Sequence, residues 1–504
     1  MPAGGCPAGL LCGEPRLSDA GNIGSVVRID AARPTPVSSA PARAARQAVV
    51  IVHGMGEQRP MDTVRDFARA VLRGGSGPQR GDTTGPDLWS RPDGRTGSLE
   101  LRRLTTRKST SSAAFPNGAR TDFYELYWAD LTIGSSWGQF GGWIRYLLFR
   151  PWRHVPRDVR GAWIALWLAS ALACVVAGAS VLPADLLPNL LPTWARIALA
   201  LAAGCLGLMV HRLATASFGR VVRYTRADPA NISARAAVRE RGLRLLNDLH
   251  AGDSYDRVVL VGHSLGSILA YDLITYLWTQ REGARTLRDG AGELAALRAV
   301  HEAAAALGEG DEATLQRFRR AQARLRRLLS GRAEGPRGTE RWLISDFVTL
   351  GSPLTHAEFL LASNAADLEQ RIEAREFPAS PPVREPLNRL GIWLAKKYGL
   401  LDTDVKEAEL FAYPQQGGGW RLHHASPFAV VRWTNIHDPA RWIYQGDLVS
   451  GALRRTFGPG VKDIDLSAVR GRSRGFSHTR YWALDAPSKQ LEALCEAINL
   501  LDRD

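Results

Sequence analysis

Cysteine is scarce in this chain: five residues in 504 (Cys6, Cys12, Cys174, Cys205 and Cys495), odd in number and without a C-x-x-C pair. That usage indicates neither a disulfide framework nor a zinc site, and it fits a reducing compartment. A P-loop, an H-E-x-x-H pair and a dinucleotide-binding glycine fingerprint are also missing, so no cofactor is expected. The first 45 residues lack the apolar core of a secretory signal; rich in Ala, Pro, Gly, Ser and Arg, they read as a disordered tail. Acidic residues are in deficit, 50 against 64 Lys plus Arg, leaving a net charge of +14. Such a balance suits nucleic acid, anionic lipid or the cytoplasmic flanks of membrane segments. No nucleic-acid-binding motif accompanies it, and nucleic acid is not expected as a partner. The chain is 45% hydrophobic, ample for a full core in two to four domains or in one α/β domain with insertions.

The most informative stretch is Arg257-Val-Val-Leu-Val-Gly-His-Ser-Leu-Gly-Ser-Ile-Leu-Ala-Tyr271. A buried-strand pattern runs into Gly262-His-Ser-Leu-Gly266, and an apolar, helix-competent run follows. This is a G-x-S-x-G nucleophile elbow in its strand–turn–helix setting. Turning from strand to helix within one residue strains the serine backbone and crowds its neighbours, so glycine is needed at 262 and 266. The Ser264 hydroxyl then stands clear at the positive end of a helix.

Folded structure is expected to begin at Gln47-Ala-Val-Val-Ile-Val52, a continuous apolar run of the buried parallel-strand type. His53-Gly-Met-Gly-Glu-Gln58 follows directly. A strand ending in His-Gly-x-Gly upstream of an elbow is where an oxyanion hole is expected, with Met55 supplying one backbone N–H and Leu265 the other. His53 reads as a brace for this loop rather than as a base. Residues 62–73 read as a helix, 74–98 as a surface loop, and Leu99–Thr105 and Asp122–Trp128 as strands. Ala230–His250 reads as an amphipathic helix, 281–340 as one or two charged, solvated helices inserted into the domain, and Trp342–Leu350 and Ala429–Ile436 as further strands. A helix from Ser488 to Leu501 closes the chain.

Between these parts lie two long apolar runs. Gly161–Leu182 carries no charge and is long enough for a bilayer, which needs roughly 20 residues; a second run extends over about 194–213. Arginines flank both outer ends and the connecting loop has no Lys or Arg, so the positive-inside rule places both flanks in the cytoplasm. Tryptophans interleaved with arginines before the first run suggest an interfacial helix. The expectation is a two-span transmembrane hairpin within 137–226, with catalytic domain and both termini cytoplasmic and the bilayer as a partner.

A neutral serine needs a base to take its proton and a carboxylate to orient that base. After an elbow of this kind the order is acid, then histidine. His301 lies in the charged insertion, His356 leaves no room for a preceding acid, and His423 and His424 precede the Ala429 strand, at the wrong end of the sheet. His478, in a Gly/Ser loop before the terminal helix, is the expected base. Two acids remain open: Asp438, immediately after a strand, and Asp447, in the Gly446-Asp-Leu-Val449 loop, which is preferred.

Taken together, His53-Gly-Met-Gly-Glu-Gln58, Gly262-His-Ser-Leu-Gly266, Thr349-Leu-Gly-Ser-Pro-Leu354, Trp433-Thr-Asn-Ile-His-Asp-Pro439 with Gly446-Asp-Leu-Val449, and His478 resemble the α/β-hydrolase superfamily, and within it the lipase-like serine esterases. The resemblance covers most of 47–500 apart from the hairpin and the charged insertion. It implies a mostly parallel sheet with helices on both faces, built from 46–136 and 227–504, and it implies Asp447 as the triad acid. The expected function is a membrane-anchored serine hydrolase cleaving carboxylic esters, including acyl lipids, through an acyl-enzyme. The alternatives are a thioesterase or peptidase with the same triad, or a catalytically silent fold serving as a membrane-tethered interaction module.

Overall fold

The computed structural model describes residues 44–132 and 232–504, apart from 55–58, 76–87, 99, 108–110, 289–291, 309–310, 334–337, 417, 441–444 and 474, together with scattered positions between 151 and 204. In chain order its strands are β1 (Ala45–Val52), β2 (Leu88–Pro92), β3 (Arg102–Thr106), β4 (Ala119–Leu126), β5 (Arg257–His263), β6 (Thr286–Leu287), β7 (Ile344–Leu350), β8 (Glu385–Pro386), β9 (Glu409–Leu410), β10 (Ala412–Pro414), β11 (Trp420–Leu422), β12 (Arg432–His437) and β13 (Lys462–Asp465). Eight of them form the main sheet in the order β13-β12-β7-β5-β1-β4-β3-β2. From β13 to β4 every pairing is parallel, and β3 and β2 add an antiparallel edge.

The apolar runs explain this arrangement. Ala48–Val52 and Val258–Val261 are almost wholly buried, as strands covered on both faces must be. Their side chains alternate between two cores. Ala48, Val50, Val52, Val258 and Leu260 face one, which holds helices Ile232–His250 and Leu265–Gln280. Val49, Ile51, Val259 and Val261 face the other, where helix Asp62–Gly75 packs against the terminal helix Ser488–Ile498. Because β1 pairs with both β4 and β5, the stretches on either side of 137–226 build a single sheet. β5 lies near its middle, so the residue after β5 emerges where the carboxyl ends of β1 and β7 also converge.

Several expectations change. A strand, β2, lies within the expected 74–98 loop; its Pro92 and exposed Trp89 suit an edge position. Besides the short helix Glu282–Arg285, the insertion holds two longer helices, Glu293–Ala305 and Glu312–Ser330, that pack on each other. They are not merely solvated: Leu297, Val300, Phe318, Leu325 and Leu329 sit in the core at helical spacing. Arginine-rich composition hid that apolar stripe.

The transmembrane hairpin is also corrected. Among the described residues no helix is long and apolar enough to cross a membrane, so the described fold is a mixed α/β one, and the two spans expected at 161–182 and 194–213 are not supported. Those runs are apolar as sequence, but a span requires about 20 continuous helical residues, and only scattered helical positions of 160–204 are described. The same finding removes the basis for a multi-pass membrane location with both termini cytoplasmic. The rest of 137–226 and the tail at 1–43 lie outside the described residues.

Candidate active site

The turn after β5 places the serine. Ser264 adopts φ 51°, ψ −130°, a conformation costing about 1–3 kcal/mol for a non-glycine residue. Its neighbours meet at contact distance. A Cβ on Gly262 would lie 2.4 Å from Ser267 Cα, and one on Gly266 would lie 2.2 Å from the Val52 carbonyl oxygen. The strained turn is held from two sides: Ser264 N–H donates to the Leu350 carbonyl at 2.9 Å, and Ser267 Oγ donates to the Ser264 carbonyl at 2.6 Å. With its proton committed there, Ser267 Oγ accepts from Ser352 Oγ at 2.6 Å. Ser352 belongs to the loop after β7, so the Gly-Ser-Pro-Leu segment braces the elbow.

Ser264 Oγ lies 2.8 Å from His478 Nε2, and His478 Nδ1 lies 2.9 Å and 3.0 Å from the two Asp447 oxygens. The chain Ser264–His478–Asp447 is unbroken, in the geometry of an activated nucleophile. Asp447 is fully buried and accepts two further hydrogen bonds, from Tyr481 Oη at 2.7 Å and from Val449 N–H at 2.8 Å. Burial by itself would raise the Asp447 carboxyl. The His478 hydrogen bond and charge, with those from Tyr481 and Val449, outweigh it and hold the group below its ordinary value. An ionised Asp447 keeps the proton of His478 on Nδ1 and leaves Nε2 to accept from Ser264.

The other candidate acid does not join this chain. Asp438 is buried against Arg470, whose Nη2 lies 2.7 Å away. Its carbonyl instead accepts from Asp447 N–H at 2.8 Å, so it supports the acid loop through the main chain. The remaining histidines lie elsewhere. His301 stacks on Phe411 with ring centroids 3.6 Å apart, His423 and His424 bond the Val383 and Arg375 carbonyls, and His437 is buried at the end of β12. His356 is the nearest in role, reaching the Leu448 carbonyl beside Asp447 at 3.4 Å.

Leu265 opens the helix after Ser264 and is buried. As a first-turn residue its N–H has no intrahelical acceptor. The other expected oxyanion donor, Met55, lies outside the described residues. Its approach is described: His53 Nε2 accepts from Trp128 N–H at 3.2 Å, which places the ring proton on Nδ1, facing the Gly54 carbonyl at 2.8 Å. His53 also stacks on Trp128, with ring planes 4° apart. It braces the loop. Gly54 abuts Ser264, since a Cβ there would fall 2.7 Å from Ser264 Cβ.

Three participants were missed in the sequence. Tyr481 bonds both Asp447 and Ser450. Burial, and then the Asp447 charge, push its phenol well above the ordinary value, so it stays a donor. His263 donates from Nε2 to the His478 carbonyl at 2.8 Å; burial and the neighbouring His478 push it down to about 3, so it is neutral. Phe476, half exposed, lies 5.8 Å from the His478 ring and flanks the base on the solvent side. Tyr481 and Phe476 lie within three residues of His478 in the chain, but no spacing rule assigns them these roles. Among the described residues no group of His, Cys, Asp or Glu is arranged to hold a metal ion.

Comparison with protein families, with curated proteins and with solved structures finds no match for this chain.

Proposed function

We propose that the protein is a serine hydrolase that cleaves carboxylic esters through an acyl-enzyme. The observation that carries this reading is the unbroken Ser264–His478–Asp447 chain on a strained turn at the carboxyl edge of the sheet. Ser264 Oγ attacks the acyl carbonyl while its proton passes to His478 Nε2. Charge developing on the carbonyl oxygen is met by the Leu265 N–H, at the positive end of the Leu265–Gln280 helix. Collapse of the tetrahedral species breaks the ester C–O bond, and His478 returns the proton to the leaving alkoxide. Water then attacks the acyl-enzyme, His478 again takes a proton, and Ser264 departs with it as the acid is released. Asp447 stays ionised throughout, stabilising the imidazolium.

The stored geometry supports the same reading. A structural serine has no need of a backbone strained by about 1–3 kcal/mol, nor of glycines packed against the main chains of β1 and of its own turn. The test is a hydrolysis panel of p-nitrophenyl esters, thioesters and phospholipids, with the intact chain and Ser264→Ala in parallel. Ester turnover lost by at least about a thousand-fold in Ser264→Ala is expected. Turnover that survives that substitution, or none on any ester, contradicts the proposal.

A further inference from the structure

At the opposite end of the sheet from Ser264, the chain buries more positive charge than it neutralises. Arg257, Arg319, Arg326 and Arg432 are each less than a tenth exposed, and so are Asp346 and Asp502. Asp346 pairs with Arg257 at 2.6 Å and with Arg432 at 2.8 Å. Asp502 pairs with Arg432 at 2.7 Å and with Arg326. Three of the four guanidinium groups thus share two carboxylates.

Arg319 is the one left over. Its Nη1 and Nη2 donate to the Trp433 carbonyl at 3.1 Å and to Thr434 Oγ1 at 3.0 Å. Both acceptors are neutral, and among the described residues no carboxylate pairs with it. Burial and the Arg432 charge push it down to about 10. A buried cation without a direct carboxylate partner is costly unless something answers it.

Arg319 lies in the wall of a cleft of about 650 Å³ between the Glu312–Ser330 helix, β12 and β13, and the Ser488–Ile498 helix. Lys462 and Thr434 share that wall. The cleft's acidic residues make no ion pair with Arg319, although Glu496, like Asp346 and Glu312, favours its charge from a distance: Glu496 takes Lys462 at 2.8 Å, Asp504 takes Arg327, and Glu492 stands on the Ser488–Ile498 helix beside Cys495.

We infer that this cleft is a binding site for a phosphate-type oxyanion, anchored by Arg319 with Lys462 at its rim. A guanidinium with unspent N–H groups suits tetrahedral oxygens. The volume admits a small phosphomonoester as readily as free phosphate. The site is independent of the esterase reading, because none of its residues touches the triad.

The test uses the full chain. Thermal unfolding is followed in rising inorganic phosphate, with potassium chloride at matched ionic strength, and binding is measured by calorimetry with inorganic phosphate and with glycerol phosphate. A saturable rise in melting temperature in phosphate alone is expected, because a ligand that binds only the folded state stabilises it by mass action. Arg319→Leu should lose at least ten-fold in affinity, Arg319→Lys should keep part of it, and Arg320→Leu, at an exposed neighbour, should keep all. If Arg319→Leu fails to fold, Arg319→Lys and the calorimetry carry the test. Tighter binding of glycerol phosphate identifies an organic phosphate as the ligand, and equal binding identifies free phosphate. A chloride-matched shift of the same size, or phosphate affinity unchanged in both Arg319 variants, overturns the inference.

Discussion

Replacing Asp447 by Asn separates the two acids that the sequence left open. In the native site the carboxylate accepts from His478 Nδ1, Tyr481 Oη and Val449 N–H. An asparagine can keep the Val449 bond through its carbonyl, but its amide nitrogen then faces Tyr481 and His478. The imidazole responds by carrying its proton on Nε2, where it can no longer accept from Ser264. With the wrong tautomer a triad of this kind loses about 10⁴ in kcat, equivalent to about 5.5 kcal/mol of transition-state stabilisation. Asp438→Asn breaks a buried pair with Arg470, and its effect should fall on stability, by about 3–5 kcal/mol, with kcat of the folded fraction within about ten-fold of wild type. The assay is burst kinetics with a p-nitrophenyl ester, active sites counted by titration, beside a urea melt of each variant. An Asp447→Asn enzyme retaining more than about a tenth of wild-type kcat would refute the reasoning. So would an Asp438→Asn enzyme that is stable but inactive.

Other perturbations follow from the same contacts. Gly266→Ala puts a methyl group 2.2 Å from the Val52 carbonyl oxygen and 2.4 Å from that of His53, neither of which can move freely; a loss of about 3 kcal/mol or more in urea unfolding is expected, and wild-type stability would contradict it. Arg432→Met takes one guanidinium partner from each of the buried Asp346 and Asp502, which keep Arg257 and Arg326, and should cost about 1.5–3 kcal/mol for the lost charged hydrogen bonds, whereas Arg480→Ala, breaking an exposed pair with Asp485, should cost under about 1 kcal/mol. Acid should destabilise the fold. Burial lowers His250, His263 and His301 to about 3 and His423 to about 4. Their stabilisation is present above the ordinary histidine value of 6.5 and is lost as pH falls below it. Glu125, raised by burial to about 7, acts the other way, since its folded form already holds a proton in this window. Four groups against one leave about three protons taken up on unfolding, or about 4 kcal/mol per pH unit between pH 6 and 5, and His437, which burial also lowers, acts in the same direction. A urea midpoint that stays level or rises over that interval would contradict this.

The elbow and the sheet were legible because their signals are local. Ala48–Val52 and Val258–Val261 announce buried parallel strands by continuous apolarity, and Gly262 and Gly266 announce the turn by the side chains they lack. His478 could be reached by chain order, and it lies 2.8 Å from Ser264 Oγ. The acid was harder, because Asp438 and Asp447 sit in one region and differ in how the loops fold back. Gly446, with φ 86°, lets the chain return against Pro439, so that Asp447 rather than Asp438 faces His478. Tyr481 could not be read from the sequence, since no spacing rule says that a phenol will reach an acid 34 residues earlier. The apolar runs at 161–182 and 194–213 misled for a related reason: hydropathy measures composition, while a span needs a continuous helix, and no described helix has that length and apolarity. Charge misled in the insertion, where arginine stems lie along the core and Arg319 and Arg326 are buried outright.

The nucleophilic role of Ser264 is tested most directly by intact-protein mass spectrometry after exposure to a fluorophosphonate, with peptide mapping of the adduct. One phosphonyl group per chain on Ser264, absent in Ser264→Ala and greatly slowed in His478→Ala, is the expected result. No adduct on pure folded protein, or an adduct that persists on another residue in Ser264→Ala, would contradict a serine hydrolase built on this site.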